Sequence, residues 1–293
     1  MDLTSLNRGT TSGFICIPIE KNKEDMLGAI IGDIAGSCWE FAPTNNYDFE
    51  MFSVRNSFTD DTICTVAVAD ALLKGRDYGE SIHDWCRRYP HPMGGYGGRF
   101  AQWVHSEHPE PYHSFGNGAA MRVSPVAMWF DSIDEVREQA MLTAACSHDH
   151  PEGLKGAAAV AEAISMAIHT CYGKTPAEQT ALAVQIGRDT ADNNKYNHDI
   201  VIEAVRNRFD ETCQGTVPVA LWIISESSSF EDAIRKAVSL GADADTLGAI
   251  VGCIAEHIWG IPEWMKEEVR TYLPEEMLDV LDEFYDKVGN RQG

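Results

Sequence analysis

Phe58-Thr59-Asp60-Asp61-Thr62 runs straight into Ile63-Cys64-Thr65-Val66-Ala67-Val68-Ala69-Asp70-Ala71-Leu72-Leu73, a stretch apolar on nearly every helical face. A helix that is apolar all round belongs inside a protein, so its acidic start is expected to be carried inside with it. The arrangement recurs at Gly241-Ala242-Asp243-Ala244-Asp245-Thr246, which leads into the equally apolar Leu247 to Ile258 with glycines at 248 and 252. Asp and Thr at a helix start satisfy free N–H groups and the helix dipole, and for either cluster alone a cap is an equally good account. A cap needs one side chain, however, and these two starts supply four carboxylates and two to three hydroxyls. If they converge, carboxylates at ~4 Å repel by about 4 kcal/mol per pair at an effective dielectric of ~20. Either a cation sits among them or the clusters lie far apart. Oxygen donors without His or Cys favour magnesium or manganese over zinc or copper, and four aspartates suffice for two ions.

Working outward, the apolar period predicts a helix from Asp25 to about Gly36, then helices at about 61–74, 79–88, 97–106, 118–130, 133–146, 152–171, 176–188, 198–211, 216–226, 230–240, 245–258, 262–272 and 275–288. Ser132 with Glu135 reads as a capping box, and Pro176 and Pro262 suit first-turn positions. Gly28, Gly32 and Gly36 leave one bare helical face, which predicts close backbone contact with a neighbour to offset about 1 kcal/mol of lost helix propensity per glycine. Clean period-two strands are missing apart from the ambiguous Phe14 to Ile19. The expected class is all-α, a single-domain bundle of a dozen or more helices over 23–293, preceded by an extension over 1–22 expected to be loosely ordered. No repeat, low-complexity tract or linker marks a second domain.

The 293 residues hold 45 acidic against 23 basic side chains, a formal charge of −22 that opposes binding to nucleic-acid phosphates or anionic lipid. Eight scattered cysteines form no metal-ligand or redox pattern and suggest a reduced, cytoplasmic chain. No membrane span or secretory leader is legible, and a monomer is the expected state.

Four further segments carry chemical content. Gly94-Gly95-Tyr96-Gly97-Gly98-Arg99 is a loop whose N–H groups could approach a phosphate, and it serves equally well as a plain surface loop. Ser114-Phe115-Gly116-Asn117-Gly118-Ala119-Ala120-Met121-Arg122 could cradle a ribose or pyrophosphate, or could be an Asn-Gly turn before a packed helix. Ser147-His148-Asp149-His150 places two histidines in one loop without a third zinc ligand, leaving a polar ligand contact or a satisfied loop histidine. Glu40, beyond the first helix, is either solvated or a gate or general base beside the acidic site.

Taken in order over about residues 25 to 262, these segments resemble the ADP-ribosylglycohydrolase family, which includes the dinitrogenase reductase-activating glycohydrolases. The resemblance implies a compact all-α fold with two magnesium ions, manganese being the alternative, held where the two acidic helices begin. It also implies hydrolysis of the glycosidic bond at the distal ribose of ADP-ribose, with an ADP-ribosylated protein side chain or related conjugate as partner. By motif, Thr59, Asp60, Asp61, Asp243, Asp245 and Thr246 look like metal ligands. Gly94, Gly95, Tyr96, Gly97, Ser114, Phe115, Gly116, Asn117, Gly118 and His148 look like ADP-ribose contacts. Glu40 resembles a mobile glutamate over the metals, with Asp33 one layer behind the ligands. Asp60, Asp61, Glu40 and Asp245 are the catalytic candidates, one of the first three accepting a proton from the attacking water. Gly241-Ala242-Asp243 departs from the Gly-Gly-Asp of many members, which bears on how closely backbone approaches the site. Nothing in the sequence fixes the acceptor. Two rival readings are a catalytically silent ADP-ribose binder and a metal-dependent phosphohydrolase.

Overall fold

The computed structural model describes residues 26–291. Helices α1 (Gly28–Ser37), α2 (Asp60–Lys74), α3 (Tyr78–Arg88) and α4 (Gly98–His105) are followed by a 3-10 turn at Asn117–Ala119. Then come α5 (Ser124–Trp129), α6 (Ile133–Ala145), α7 (Pro151–Thr170), α8 (Pro176–Asn193) and the single turn α9 (Ile202–Val205). The chain ends through α10 (Cys213–Ser225), α11 (Phe230–Ser239), α12 (Ala244–Trp259), α13 (Glu263–Arg270) and α14 (Glu275–Arg291). Among the described residues there is no strand, only an isolated bridge between Gly116 and Thr212. No described helix is long and apolar enough to cross a membrane. The seven cysteines among the described residues are free thiols. The predicted extension over 1–22, the ambiguous Phe14 to Ile19 and the proposed cap Asp25 lie outside the described residues.

Helices α1 and α12 form the centre, and their glycines decide how. A Cβ on Gly28 would meet the Gly252 carbonyl, one on Gly32 the Gly248 carbonyl, and one on Gly36 the Ala244 carbonyl. Contacts descending on one helix while ascending on the other make the pair antiparallel and in backbone contact. The end of α1, with Glu40 just beyond, therefore lies over the acidic start of α12. The buried faces of α2, α7, α10 and α11 close around this pair in one continuous apolar core.

Four local expectations are corrected. The helix expected over 118–130 is broken into the 3-10 turn and the short α5, because Pro125 has no N–H to give and its ring crowds the carbonyl four residues back. The helix expected over 198–211 survives only as α9. Asn207 takes a left-handed φ of 57° and donates its N–H to the Leu240 carbonyl (3.0 Å), while the Asp210 carboxylate accepts from Thr212 N–H (3.1 Å). Polar side chains and a tertiary partner thus take the backbone groups a helix would use. Ser132 is the N-cap of α6 but its side chain caps nothing, whereas Thr175 and Glu178 form the full capping box on α8. Pro262 stands one residue earlier than expected, at the N-cap of α13.

Candidate functional site

Asp33, fully buried on α1, sets the first part of the site. Its carboxylate accepts from Thr59 N–H (3.0 Å), Thr59 Oγ1 (2.8 Å), Thr62 N–H (3.1 Å) and the Thr62 hydroxyl. These bonds fix the start of α2 against α1, and Thr59 caps α2 by accepting from Asp61 N–H. Asp61 is thereby turned toward α12, where Thr246 Oγ1 donates to Asp61 Oδ2 (3.2 Å). Two clusters 185 positions apart in sequence are joined directly.

Carboxylate oxygens of Asp33, Asp61 and Asp245 lie within 4.8 Å of one another, as do those of Glu40, Asp243 and Asp245. The two trios share Asp245. Repulsion at that spacing is about 3 kcal/mol per ionised pair at an effective dielectric of ~20. Burial, and then the charge of Asp245 and Asp33, pushes the Asp60 carboxyl up to about 8. Burial raises Asp243 to about 7 and Asp33 to about 6. Burial and neighbouring carboxylates hold Asp61 and Asp245 well above the usual range. Burial, then Asp245 and Asp60, lifts Glu40 to about 8. Asp61 Oδ1, Asp245 Oδ1 and Glu40 Oε2 are buried without a hydrogen-bond partner. Buried acceptors of one charge, unpartnered and convergent, fit hard divalent cations.

Four of these carboxylates, Glu40, Asp60, Asp243 and Asp245, line a cavity of about 350 Å³. Its walls include Glu40, Asp60, Asp243, Asp245 and Thr246, the glycine loop Gly94, Gly95, Tyr96 and Gly97, and Ser114, Gly116, Asn117, Gly118 and His148. Thr59 and Asp61 lie beneath that lining, and Phe115 beside it, its half-exposed ring edge-on to His150 at 5.2 Å. Asn117 donates to Asp243 Oδ2 (2.7 Å) and to Thr216 Oγ1 (3.1 Å), which aims Asp243 at Glu40. Tyr96 anchors the glycine loop by donating to the Tyr89 carbonyl (2.7 Å). Gly94 takes a φ of +77° directly against the Glu40 carboxylate, so a side chain is excluded there twice over.

His148 is buried, and burial followed by the Arg122 charge holds its imidazole well below the usual value, so it is neutral. The Ser147 hydroxyl accepts from Arg122 Nη2 (3.1 Å) and shares a hydrogen bond with His148 Nδ1 (2.8 Å). The tautomer in which Ser147 donates to Nδ1 carries the imidazole proton on Nε2, 3.3 Å from where a Cβ on Gly116 or Gly118 would stand. The two glycines keep open the space into which this donor points.

A sequence profile described as ADP-ribosylglycohydrolase matches residues 19–293. The chain belongs to the ADP-ribosylglycohydrolase family. Its relatives include the ADP-ribosylarginine hydrolase Tri1 of Pseudomonas putida, 23% identical over 85% of this chain and 74% of the relative. The ADP-ribosylhydrolase ARH3 of Mus musculus is 23% identical over 81% of this chain and 83% of its own. The ADP-ribosyl-[dinitrogen reductase] glycohydrolase of Rhodospirillum rubrum is also 23% identical, over 81% and 85%. A solved structure described as an ADP-ribosylglycohydrolase-related protein complex shares the fold, with a TM-score of 0.67, 23% identity, and coverage of 90% of this chain and 96% of that one.

In this family member the cavity also draws on residues that the sequence did not single out as site residues: Phe41, Arg99, Phe100, Tyr112, Arg122 and Glu211. Arg99 and Arg122 stood at the ends of two quoted segments, and an arginine closing a small-residue run was a usable signal. Glu211 offered none. It reaches the cavity because the Glu211 carbonyl accepts Asn117 N–H (2.7 Å) across the Gly116–Thr212 bridge.

Proposed function

We propose that the chain hydrolyses the glycosidic bond between the distal ribose of ADP-ribose and an acceptor on a modified protein or related conjugate. The observation that carries this reading is the pair of carboxylate trios sharing Asp245 at a cavity whose lining also includes glycine backbone and the neutral His148. Thr59, Asp60, Asp61, Asp243, Asp245 and Thr246 are the residues that would hold two magnesium ions, with manganese the alternative. Such ions, when bound, supply positive charge against ribose hydroxyls and acidify a water.

The chain's own groups account for the remainder. His148 Nε2–H and the N–H groups of Gly94 to Gly97 and Gly116 to Gly118 offer donors for diphosphate and ribose oxygens. Phe115, between the lining residues Ser114 and Gly116 and half-exposed, is an aromatic side chain suited to stacking on a base. Asp60, Asp61 or Glu40 takes a proton from the water that attacks the anomeric carbon. The surrounding carboxylates, Asp245 among them, offset the positive charge that develops on the ribose as the bond breaks. Low identity to characterised relatives leaves the acceptor to be read from this chain's own cavity.

Product analysis by mass spectrometry on arginine-, serine- and acetyl-linked ADP-ribose, with and without magnesium, is the test. Intact ADP-ribose is the expected product, with loss of about a hundredfold or more in rate for folded D60N and D245N. Wild-type rates in those variants would overturn the metal-centred reading. Release of AMP or phosphate would favour a phosphohydrolase, and binding without release a silent ADP-ribose binder.

A further inference from the structure

A second cavity, of about 470 Å³, is lined by residues of the chain between α8 and α10, by α10 itself and by the start of α12. That volume suits a small ligand, although a crevice beside a connecting segment ordinarily holds only solvent. Its charge is the first sign that it does more. Lys155, Lys195 and Arg208 line it against two carboxylates, Asp210 and Asp243, in a chain with 23 basic and 45 acidic side chains. Both carboxylates are engaged elsewhere. Asp210 accepts from the Thr212 N–H (3.1 Å) and hydroxyl (2.6 Å) and meets Arg208 only at 3.7 Å, while Asp243 belongs to the trio with Glu40 and Asp245. Lys155 pairs with Glu152 (2.8 Å) and lies over the Tyr196 ring at 4.3 Å, whereas Lys195 forms no ion pair among the described residues. The second sign is Tyr196. It lines the cavity, is buried, and its hydroxyl has no hydrogen-bond partner, a costly state for a buried donor until something accepts from it.

We propose that this cavity binds a small amphipathic anion, independently of the hydrolase reading above. The apolar body of the ligand rests on Val205, Val219, Leu240 and Leu247, which share the lining. Its single carboxylate or phosphate head pairs with Lys195 and Arg208 and accepts from the Tyr196 hydroxyl. A wholly apolar ligand leaves that hydroxyl unpaired, and a cationic one meets like charge from Lys195 and Arg208. The site is separate from the first cavity yet joined to it. Asp243 lines both, and Thr216 of the second accepts from the same Asn117 amide that donates to Asp243. An occupant therefore touches one of the trio carboxylates without entering the cavity that holds the glycine loop and His148.

The experiment titrates 3-phenylpropionate, 2-phenylethyl phosphate and the neutral 3-phenylpropanol into the full chain by calorimetry, in magnesium, with and without saturating ADP-ribose. At least one of the anions is expected to bind about tenfold or more tightly than the alcohol, and the tighter of the two names the head group. K195N removes a charge at a residue whose φ is 57°, a conformation asparagine accepts, and R208Q removes one from an exposed side chain. Each is expected to weaken the anion about threefold to tenfold. Y196F is expected to weaken it several-fold while melting no lower than wild type, since the hydroxyl it loses has no partner to give up. Saturating ADP-ribose should leave the anion's affinity within a few-fold. Equal binding of the alcohol, or unchanged affinity in K195N, R208Q and Y196F alike, overturns the proposal. So does a dissociation constant that climbs without limit as ADP-ribose is added, because the probe then occupies the first cavity.

Discussion

Asp245 belongs to both carboxylate trios, and so its ionisation is opposed from two sides at once. Asp33, Asp243 and Asp60 stand at about 6, 7 and 8, each raised first of all by burial, whereas in the unfolded chain they return to about 4. Below pH ~4 both states are protonated and these groups cost nothing. Between ~4 and ~8 the unfolded chain ionises while the folded one retains protons, so the metal-free protein loses stability as pH rises through that window. Asp232, held below its ordinary value mainly by the Tyr47 and Lys236 hydrogen bonds against burial, acts in the opposite sense only below pH ~4. The melting temperature in EDTA is therefore expected to fall from pH 5 to 8.5, and the rise on adding magnesium to grow over the same range, since cations and protons compete for the same oxygens. A flat or rising EDTA profile would contradict this. D245N removes a charge from both trios, so at pH 8 it should melt higher than wild type in EDTA and respond less to magnesium. Ser147 acts by orienting a proton, so S147A should raise KM for ADP-ribosyl substrates several-fold with little change in kcat, because a neutral His148 then loses its fixed tautomer.

At the scale of elements, the antiparallel α1–α12 pair makes the site. The bare glycine face of α1 was legible in its spacing, and so was the bare face of α12, but neither named the other as partner. Spacing along one helix says that a close approach exists, while the identity of the approaching backbone is a tertiary fact. The acidic starts were readable for the same reason that the helices were: the apolar period is strong wherever a helix is buried. Where the chain departs from the expected helices, at 198–211 and 118–130, the cause is a left-handed Asn207, a side chain competing for backbone, or a proline, and these departures shape the cavity wall. G32A and G248A test the pair. Alanine would gain about 1 kcal/mol in helix propensity, but its Cβ must displace the partner's backbone, an overpacking cost of about 1–3 kcal/mol. Both variants are expected to melt several degrees lower, and a higher melting temperature in either would mean the helices are not in backbone contact.

Over the whole molecule, a formal charge of −22 surrounds a cavity for which we propose an anionic ligand. The sequence made this tension plain and even hinted at its resolution, since glycine loops and a histidine are local donors of the kind an acidic protein needs. What it could not convey was their arrangement. Arg122 is fully buried and hydrogen-bonded to Thr143 and Ser147, so its charge acts on His148 and the carboxylates from beneath, while Arg99 lies over the Tyr112 ring at the cavity wall. Arg122 is screened by burial and the exposed Arg99 is a single cation against the net charge, so at long range an approaching diphosphate would meet the net negative charge first. Two bound divalent ions would reduce that charge without reversing it. Screening shortens the reach of such repulsion to about 10 Å at ~0.1 M salt, which leaves short-range hydrogen bonding to backbone N–H and His148 largely intact. The association rate of a fluorescent ADP-ribose analogue, followed by stopped flow at fixed magnesium, is therefore expected to increase several-fold from about 20 to about 200 mM KCl while the dissociation rate changes little. An association rate that falls with salt would mean that the cavity's own cations and metals govern the encounter, and that the surface charge is oriented away from the path by which substrate enters.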